Sequence, residues 1–282
     1  MDVSESVVTD LADRLNPDTN VSILTGAGIS AASGIPTFRG DDGLWEEYDP
    51  SDLASPDGFR RDPETVWRWY NERRRMIDEA DPNAGHRALA SWEEHFNRLS
   101  VVTQNVDGLH EEAGSEQTIK LHGDIWSVSC WENCTDSPRR WTNRDVPLPE
   151  IPPRCDSCGG LLRPEVVWFG ESLDPEVLEN AQRAVDCDVF FTIGTSAEVH
   201  PAAGFIRKAA DRGAYTVEIN PDSTAASGIV DLSEWGPEVP EEVKTAVDEE
   251  RTAIENGETD VWAGSAYEGA SDQDLFQSVD SY

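Results

Sequence analysis

The sequence predicts an α/β protein: a doubly wound, mostly parallel sheet, interrupted by a helical insertion and by a small cysteine-bearing module. Three observations carry this. Four short apolar runs, 21–25, 99–103, 189–194 and 215–219, have the length and composition of buried strands. Helical patterns lie between them, and strand–helix alternation is the mark of a parallel sheet covered on both faces. Each run ends at a turn containing Gly, Asn or Gln, and in such sheets ligands sit outside the carboxyl ends of the strands. The residues able to do chemistry follow those ends: Gly26, Gln104, Gly194 and Asn220. At 282 residues the chain can bury a sizeable core, as one large domain or a large plus a small one.

The first strand, Val21-Ser22-Ile23-Leu24-Thr25, runs straight into Gly26-Ala27-Gly28-Ile29-Ser30 and on to Gly34-Ile35-Pro36-Thr37-Phe38-Arg39-Gly40. Glycines at a strand end bring backbone N–H groups close to a phosphate. They also serve ordinary turns. The spacing is not GxGxxG, which disfavours a common dehydrogenase. Residues 46–98 read as a helical insertion, with Pro63 at a helix start and an amphipathic pattern over 66–77. The second strand leads to Thr103-Gln104-Asn105-Val106-Asp107-Gly108-Leu109-His110 and then to Leu121-His122-Gly123.

Residues 124–168 are proline-rich and hold Cys130-x3-Cys134 and, after twenty intervening residues, Cys155-x2-Cys158. This spacing predicts a metal site rather than disulfides. Four thiolates fill a tetrahedral zinc site with no position open to water, so the zinc is expected to be structural. A nucleic-acid-binding ribbon is the rival reading, and the acidity of the chain opposes it. The fifth cysteine, Cys187, sits beside Val189-Phe190-Phe191 and reads as a small core residue. Gly194-Thr195-Ser196 follows the third strand, and its small side chains and backbone donors suit a phosphate or ribose. Asn220 follows the fourth, where doubly wound folds read an adenosine ribose. Beyond about residue 248 the chain is acidic with scattered Gly and Ser, the composition of a frayed or disordered tail.

The net charge is −34, from 56 acidic against 22 basic residues, of which only Lys120, Lys208 and Lys244 are lysine. Acidic residues occur along the whole chain, so self-repulsion opposes compaction unless salt screens it. Solubility in concentrated salt accounts for the charge, and the composition looks like that of a haloarchaeal cytoplasmic protein. Attraction to basic partners is the sharper alternative, but steering is weak where the Debye length falls to about 3 Å in molar salt. Binding nucleic acid through its phosphates is disfavoured. There is no run of 18 apolar residues and no basic, apolar leader at Met1–Glu5, so neither a membrane span nor a signal peptide is expected.

The segments 26–40, 103–110 and 121–123, followed by the two cysteine pairs, together resemble the sirtuin family of NAD-consuming protein lysine deacylases, over roughly residues 10–245. The resemblance implies a Rossmann-like NAD-binding domain made of 1–45, 99–123 and 169–247. It places the helical insertion at 46–98, the zinc-binding module at 124–168 and the acidic tail at 248–282. To NAD it assigns Gly26, Ala27, Gly28, Ser30, Thr37, Phe38, Arg39 and Trp45, then Gln104, Asn105, Val106 and Asp107, then Gly194, Thr195, Ser196, Asn220, Pro221 and Asp222.

It makes His122 the general base, a task suited to a side chain titrating near neutrality. The acyl oxygen is expected to attack the nicotinamide ribose carbon, nicotinamide leaves, and His122 takes a proton from a ribose hydroxyl. The products are free lysine, nicotinamide and 2′-O-acyl-ADP-ribose. Asn105 is expected to hold a ribose hydroxyl or a water, and Asp107 the carboxamide. Phe38 would shield the reacting carbon, and Arg39 would lie near the phosphates. Two departures from the family pattern stand out. Cys130-x3-Cys134 is one residue longer than the usual C-x2-C, and the loop at Trp235-Gly236-Pro237 is a few residues short.

Tyr70 and Arg73 are three apart, so they share a helix face. Arg73-Arg74-Arg75 reads equally as a solvated patch. Tyr-x-x-Arg at this place resembles the class III sirtuins, which remove succinyl and malonyl groups. There Arg73 would grip the distal carboxylate in a bidentate, charge-assisted way, with Tyr70 adding a hydrogen bond. Ala54 matches the small residue that makes room for a longer acyl chain. Val166, Val167 and Phe169 are expected to line the lysine tunnel and pair with the peptide backbone. The expected partners are acylated lysine proteins, with no nucleic acid and no membrane. The other readings are a plain deacetylase, an ADP-ribosyltransferase and a non-catalytic NAD-binding module.

Overall fold

A computed structural model of the chain describes residues 11–39, 43–221, 224 and 226. Asp222, the Gly236 loop and the acidic tail lie outside the described residues. The main sheet is five-stranded and wholly parallel, in the order β3-β2-β1-β7-β8. Its strands are β1 (Asn20–Thr25), β2 (Arg98–Thr103), β3 (Thr118–Lys120), β7 (Val189–Ile193) and β8 (Tyr215–Ile219). The four apolar runs become strands to within a residue or so. The edge strand β3 was not expected, because three residues of Thr-Ile-Lys carry too little periodicity to stand out.

Alternation along β1 sends side chains to two cores. Leu24 joins Val102, Phe190, Phe205 and Ile206 on one face, whereas Val21 and Ile23 join Leu89, Val101 and Phe191 on the other. Burial on both faces is why these strands read as continuous apolar runs. The first residue of β1 sits directly across from Arg98, so β1 and β2 stay in register to Thr25 and Thr103. Their carboxyl ends therefore open onto the same rim.

The segment after β1 is a 3-10 helix, Ala27–Ser33, closed by Gly34 in the left-handed region. Helices α1 (Leu44–Glu47), α2 (Pro50–Leu53), α3 (Pro56–Arg61), α4 (Pro63–Asp78) and α5 (Ala84–Trp92) follow. Asp49, Ser55 and Asp62 each cap a helix that begins with proline, so three starts are written in sequence. On α4 the buried residues are Val66, Trp67, Tyr70, Arg73, Arg74 and Ile77, one face at helical spacing. The reading of Arg73-Arg74-Arg75 as a solvated patch is thereby corrected: only Arg75 is exposed. Arg74 is wholly buried, lies between Trp67 and Trp126, and donates from Nε to the Ile125 carbonyl at 2.9 Å.

A second, antiparallel sheet in the order β5-β4-β6 is formed by β4 (Gly123–Cys130), β5 (Trp141–Thr142) and β6 (Leu162–Val166). It shares one core with α4, built on Trp67, Tyr70, Trp126 and Trp168. The Trp67 indole N–H fixes the contact by donating to the Leu162 carbonyl at 2.7 Å. Helices α6 (Leu109–Glu112), α7 (Pro175–Ala184) and α8 (Ala203–Asp211) complete the order; α7 and α8 pack on the Leu24 face of the main sheet. Among the described residues no helix is long and apolar enough to cross a membrane.

Candidate active site

The floor of the site is the junction of β1 and β7. Gly26 N–H donates to the Ile193 carbonyl at 3.0 Å and Gly28 N–H to the Gly194 carbonyl at 2.8 Å. A Cβ on Gly26 would lie 2.6 Å from the Gly194 carbonyl oxygen, and one on Gly28 2.7 Å from the Gly194 Cα. Gly194 itself has φ +60, and its Cβ would meet Ile29 N at 2.4 Å. The three glycines interlock, so their first task here is close backbone approach.

Three strand ends tie onto this floor. Gln104 Nε2 donates to Thr195 Oγ1 at 2.8 Å, and Asn220 Nδ2 donates to the Thr195 carbonyl at 2.8 Å. Asn105 Nδ2 donates to the Gly26 carbonyl at 3.0 Å and to Ser30 Oγ at 3.1 Å. Ser30 passes its own hydrogen to Asp107 Oδ2 at 2.8 Å, and the other Asp107 oxygen accepts from Leu109 N–H at 3.0 Å. Beneath them lies a buried histidine absent from the sequence-based site. His86 Nδ1 faces the Asn83 N–H, so the ring hydrogen sits on Nε2, 3.4 Å from Ser30 Oγ. That tautomer leaves Ser30 free to donate to Asp107. Burial depresses the His86 pKa to about 4, which keeps the ring neutral at ordinary pH.

His122 stands at the start of β4. Its Nδ1 lies 3.0 Å from the Gln104 carbonyl. A carbonyl only accepts, so Nδ1 carries the hydrogen and Nε2 keeps a free lone pair. Burial lowers the His122 pKa below its ordinary 6.5, and the Gln104 carbonyl offsets part of that shift. The Val167 N–H donates to the His122 carbonyl at 2.9 Å, and the Phe169 N–H to the Ala54 carbonyl at 2.9 Å. Residues 167–169 therefore bridge His122 and Ala54. Val166 is half-buried, and its carbonyl accepts from Arg163 at 2.9 Å.

An aromatic wall stands over the floor. Phe38 meets Trp45 at 5.2 Å, Trp45 stacks on Trp69 at 5.9 Å, and Trp45 meets Phe169 edge-on at 6.1 Å. The Arg73 guanidinium sits against this wall, 4.7 Å from the Phe38 ring and 5.2 Å from Trp69. It is 6 % exposed, and its Nη1 has no hydrogen-bond partner. The buried Tyr70 hydroxyl accepts from Trp168 Nε1 at 2.9 Å. Trp69 and His86 are not among the residues singled out in the sequence; an aromatic on an amphipathic helix and a lone histidine carry no spacing signal. Trp168 lies behind Tyr70 in the core.

The remaining expected contacts stand at the rim or face their own loop. Thr37 Oγ1 donates to the Arg39 carbonyl at 3.0 Å, and Arg39 pairs with Glu198 at 3.0 Å beside the end of β7. Val106 packs into the core of the second sheet, and Pro221 is exposed.

Residues 26–201 match the Sir2 family. The chain belongs to the Sir2 family. An NAD-dependent protein deacylase of Aquifex aeolicus is 50 % identical over 214 residues, covering 76 % of this chain and 88 % of that one. A Sir2 homologue mutant bound to ADP-ribose superposes with a TM-score of 0.74 at 43 % identity, over 87 % of this chain and 97 % of the other. A Sir2 homologue–NAD complex gives 0.72 at 44 % identity, over 87 % and 94 %.

The second sheet of this sirtuin carries the cysteine module. The sulfurs of Cys130, Cys134, Cys155 and Cys158 all lie within 4.8 Å of one another. Cys130–Cys158 is 3.6 Å and Cys134–Cys155 is 3.7 Å. Zinc–sulfur bonds of about 2.3 Å in a tetrahedron set sulfur–sulfur edges of about 3.8 Å, so the donor set fits zinc. Within Cys130-x3-Cys134, Asn133 has a φ of 50, in the left-handed region. Asparagine is among the few side chains that adopt this conformation readily.

Proposed function

We infer that this sirtuin is an NAD-dependent protein lysine deacylase whose acyl pocket selects acidic groups of the succinyl and malonyl type. The observation that carries the acyl preference is Arg73, a buried cation whose Nη1 is unpartnered. A buried guanidinium nitrogen with no acceptor is costly, and a guest carboxylate is the partner that would relieve it. Burial lowers the Arg73 pKa only to about 10, so the guanidinium stays charged at neutral pH. The Tyr70 hydroxyl stands one turn away on the same face of α4.

NAD, when bound, supplies an electrophilic ribose carbon and an acceptor hydroxyl for the acyl group. The chain supplies everything else. The interlocked glycines, Gln104, Thr195 and Asn220 offer a nucleotide a crevice of backbone and small polar groups at the strand ends. Ser30 and Leu109 hold the Asp107 carboxylate in place for a carboxamide. Phe38 and the aromatic wall exclude water from the reacting centre. His122 Nε2 accepts the hydroxyl proton. Zinc in the four-thiolate site has no open position, so its work is to hold the second sheet together. Val166, Val167 and Phe169 receive the acyl-lysine peptide beside His122.

Turnover of matched acetyl- and succinyl-lysine peptides in molar KCl, with and without NAD, tests this by mass spectrometry. NAD-dependent formation of succinyl-ADP-ribose is expected. Loss of acetyl alone would leave a plain deacetylase. ADP-ribose attached to protein would make it a transferase, and no turnover of either peptide would leave a binding module.

The base assignment carries a pH signature. His122 must be neutral to accept a proton, and its pKa is lowered from 6.5. The acid limb of kcat/KM is therefore expected to have its midpoint below pH 6.5, with activity full above that value and lost as pH falls. An acetyl-lysine peptide is the right substrate, because it has no acyl carboxyl to titrate. A midpoint above 6.5 would remove His122 from the role.

A further inference from the structure

Trp168 is buried between Phe59 and Trp131, at ring separations of 5.2 and 6.2 Å, and lies under the Arg163 guanidinium at 3.9 Å. Arg163 holds Glu171 through Nη1 and Nη2 at 2.6 and 2.8 Å. The same carboxylate accepts the Trp168 backbone N–H at 2.9 Å. The flanking backbone is pinned to the His122 and Ala54 carbonyls. The indole therefore has one place to be, and its Nε1–H reaches Tyr70 Oη at 2.9 Å.

An indole N–H can only donate, so it occupies a lone pair of the phenol. Among the described residues this is the only hydrogen bond the Tyr70 hydroxyl makes. The hydroxyl hydrogen is left over, beside an arginine that can also only donate. We propose that Trp168 is a positioning residue for acyl selectivity, holding the Tyr70 oxygen through one lone pair so that the hydroxyl hydrogen joins the Arg73 guanidinium in donating to the acyl end. Such a pocket fits a carboxylate, which accepts at both oxygens. It disfavours the isosteric carboxamide, whose NH2 would face the donor-only guanidinium of Arg73. Burial pushes the Tyr70 pKa up to about 12, so the phenol keeps its hydrogen across the working range.

This rests on the acidic-acyl reading, and the test separates the two. Trp168→Phe keeps a ring and removes the N–H. Its KM for a succinyl-lysine peptide is expected to rise about 10-fold, with kcat and the acetyl-lysine KM unchanged. The preference for succinyl-lysine over its carboxamide analogue should shrink by a similar factor. In a Tyr70→Phe background the second substitution should add nothing, because Trp168 acts through that hydroxyl. Should the phenylalanine variant fail to fold, a benzothienyl isostere at 168 exchanges N–H for sulfur with the ring shape kept. Equal losses on acetyl and succinyl peptides, or an unchanged succinyl KM, would overturn the role of Trp168. If Arg73→Met also leaves the succinyl KM unchanged, the acidic-acyl reading itself fails; if only Trp168→Phe is silent, that reading stands.

Discussion

His122→Ala is expected to lower turnover of acetyl- and succinyl-lysine peptides alike by about 100-fold or more, the range a positioned general base contributes. The fold should survive. Among the described residues the His122 side chain makes one hydrogen bond, to the Gln104 carbonyl, and the β4 register is set by backbone pairing from Gly123 onward. Losing that bond costs about 1 kcal/mol. Melting temperature and zinc content, measured beside turnover, should therefore stay close to those of the parent. Deacylation within tenfold of the parent would show that another group, or water, accepts the proton.

Arg73→Met should separate substrate selection from stability. On succinyl-lysine, kcat/KM is expected to fall about 100-fold, because a buried charge-assisted contact to the acyl carboxylate is lost. On acetyl-lysine, which has no such carboxylate, the change should be small. Stability should rise rather than fall. In the absence of a guest the guanidinium is desolvated and its Nη1 has no hydrogen-bond partner, and the faces of Phe38 and Trp69 and the charge of Asp107 offset this in part. Replacing such a cation by an apolar chain of similar length removes a penalty. A higher melting temperature with lost desuccinylation marks a residue kept for function at a cost in stability. Equal losses on the two peptides would instead make Arg73 a structural support for the aromatic wall.

Legibility in the sequence followed the range of the interaction involved. The central strands were readable because burial on both faces leaves an uninterrupted apolar run, and the proline-led helices because a cap and a Pro fall within three residues. The cysteine pairs were readable for the same reason: each pair sits on one short turn. Tyr70 and Arg73 could be placed on one face from spacing alone, but what covers that face comes from far along the chain, Phe38 over Arg73 and Trp168, 98 residues away, at Tyr70. The same limit hid the layer under the floor. Ser30 meets Asp107 across 77 residues and His86 across 56, and no local pattern announces either meeting. The glycines after β1 were legible as a motif, but their physical reason lies in Gly194, far along the chain.

That interlock has a mechanical consequence. Where Gly26, Gly28 and Gly194 meet, main chain rests on main chain, with the Thr195 Cβ close beside Gly26. The bottom of the crevice is thus a hard stop whose depth is the same for every guest. Accommodation between guests of different size would then fall to the opposite wall, where Phe38, Trp45 and Trp69 meet ring on ring.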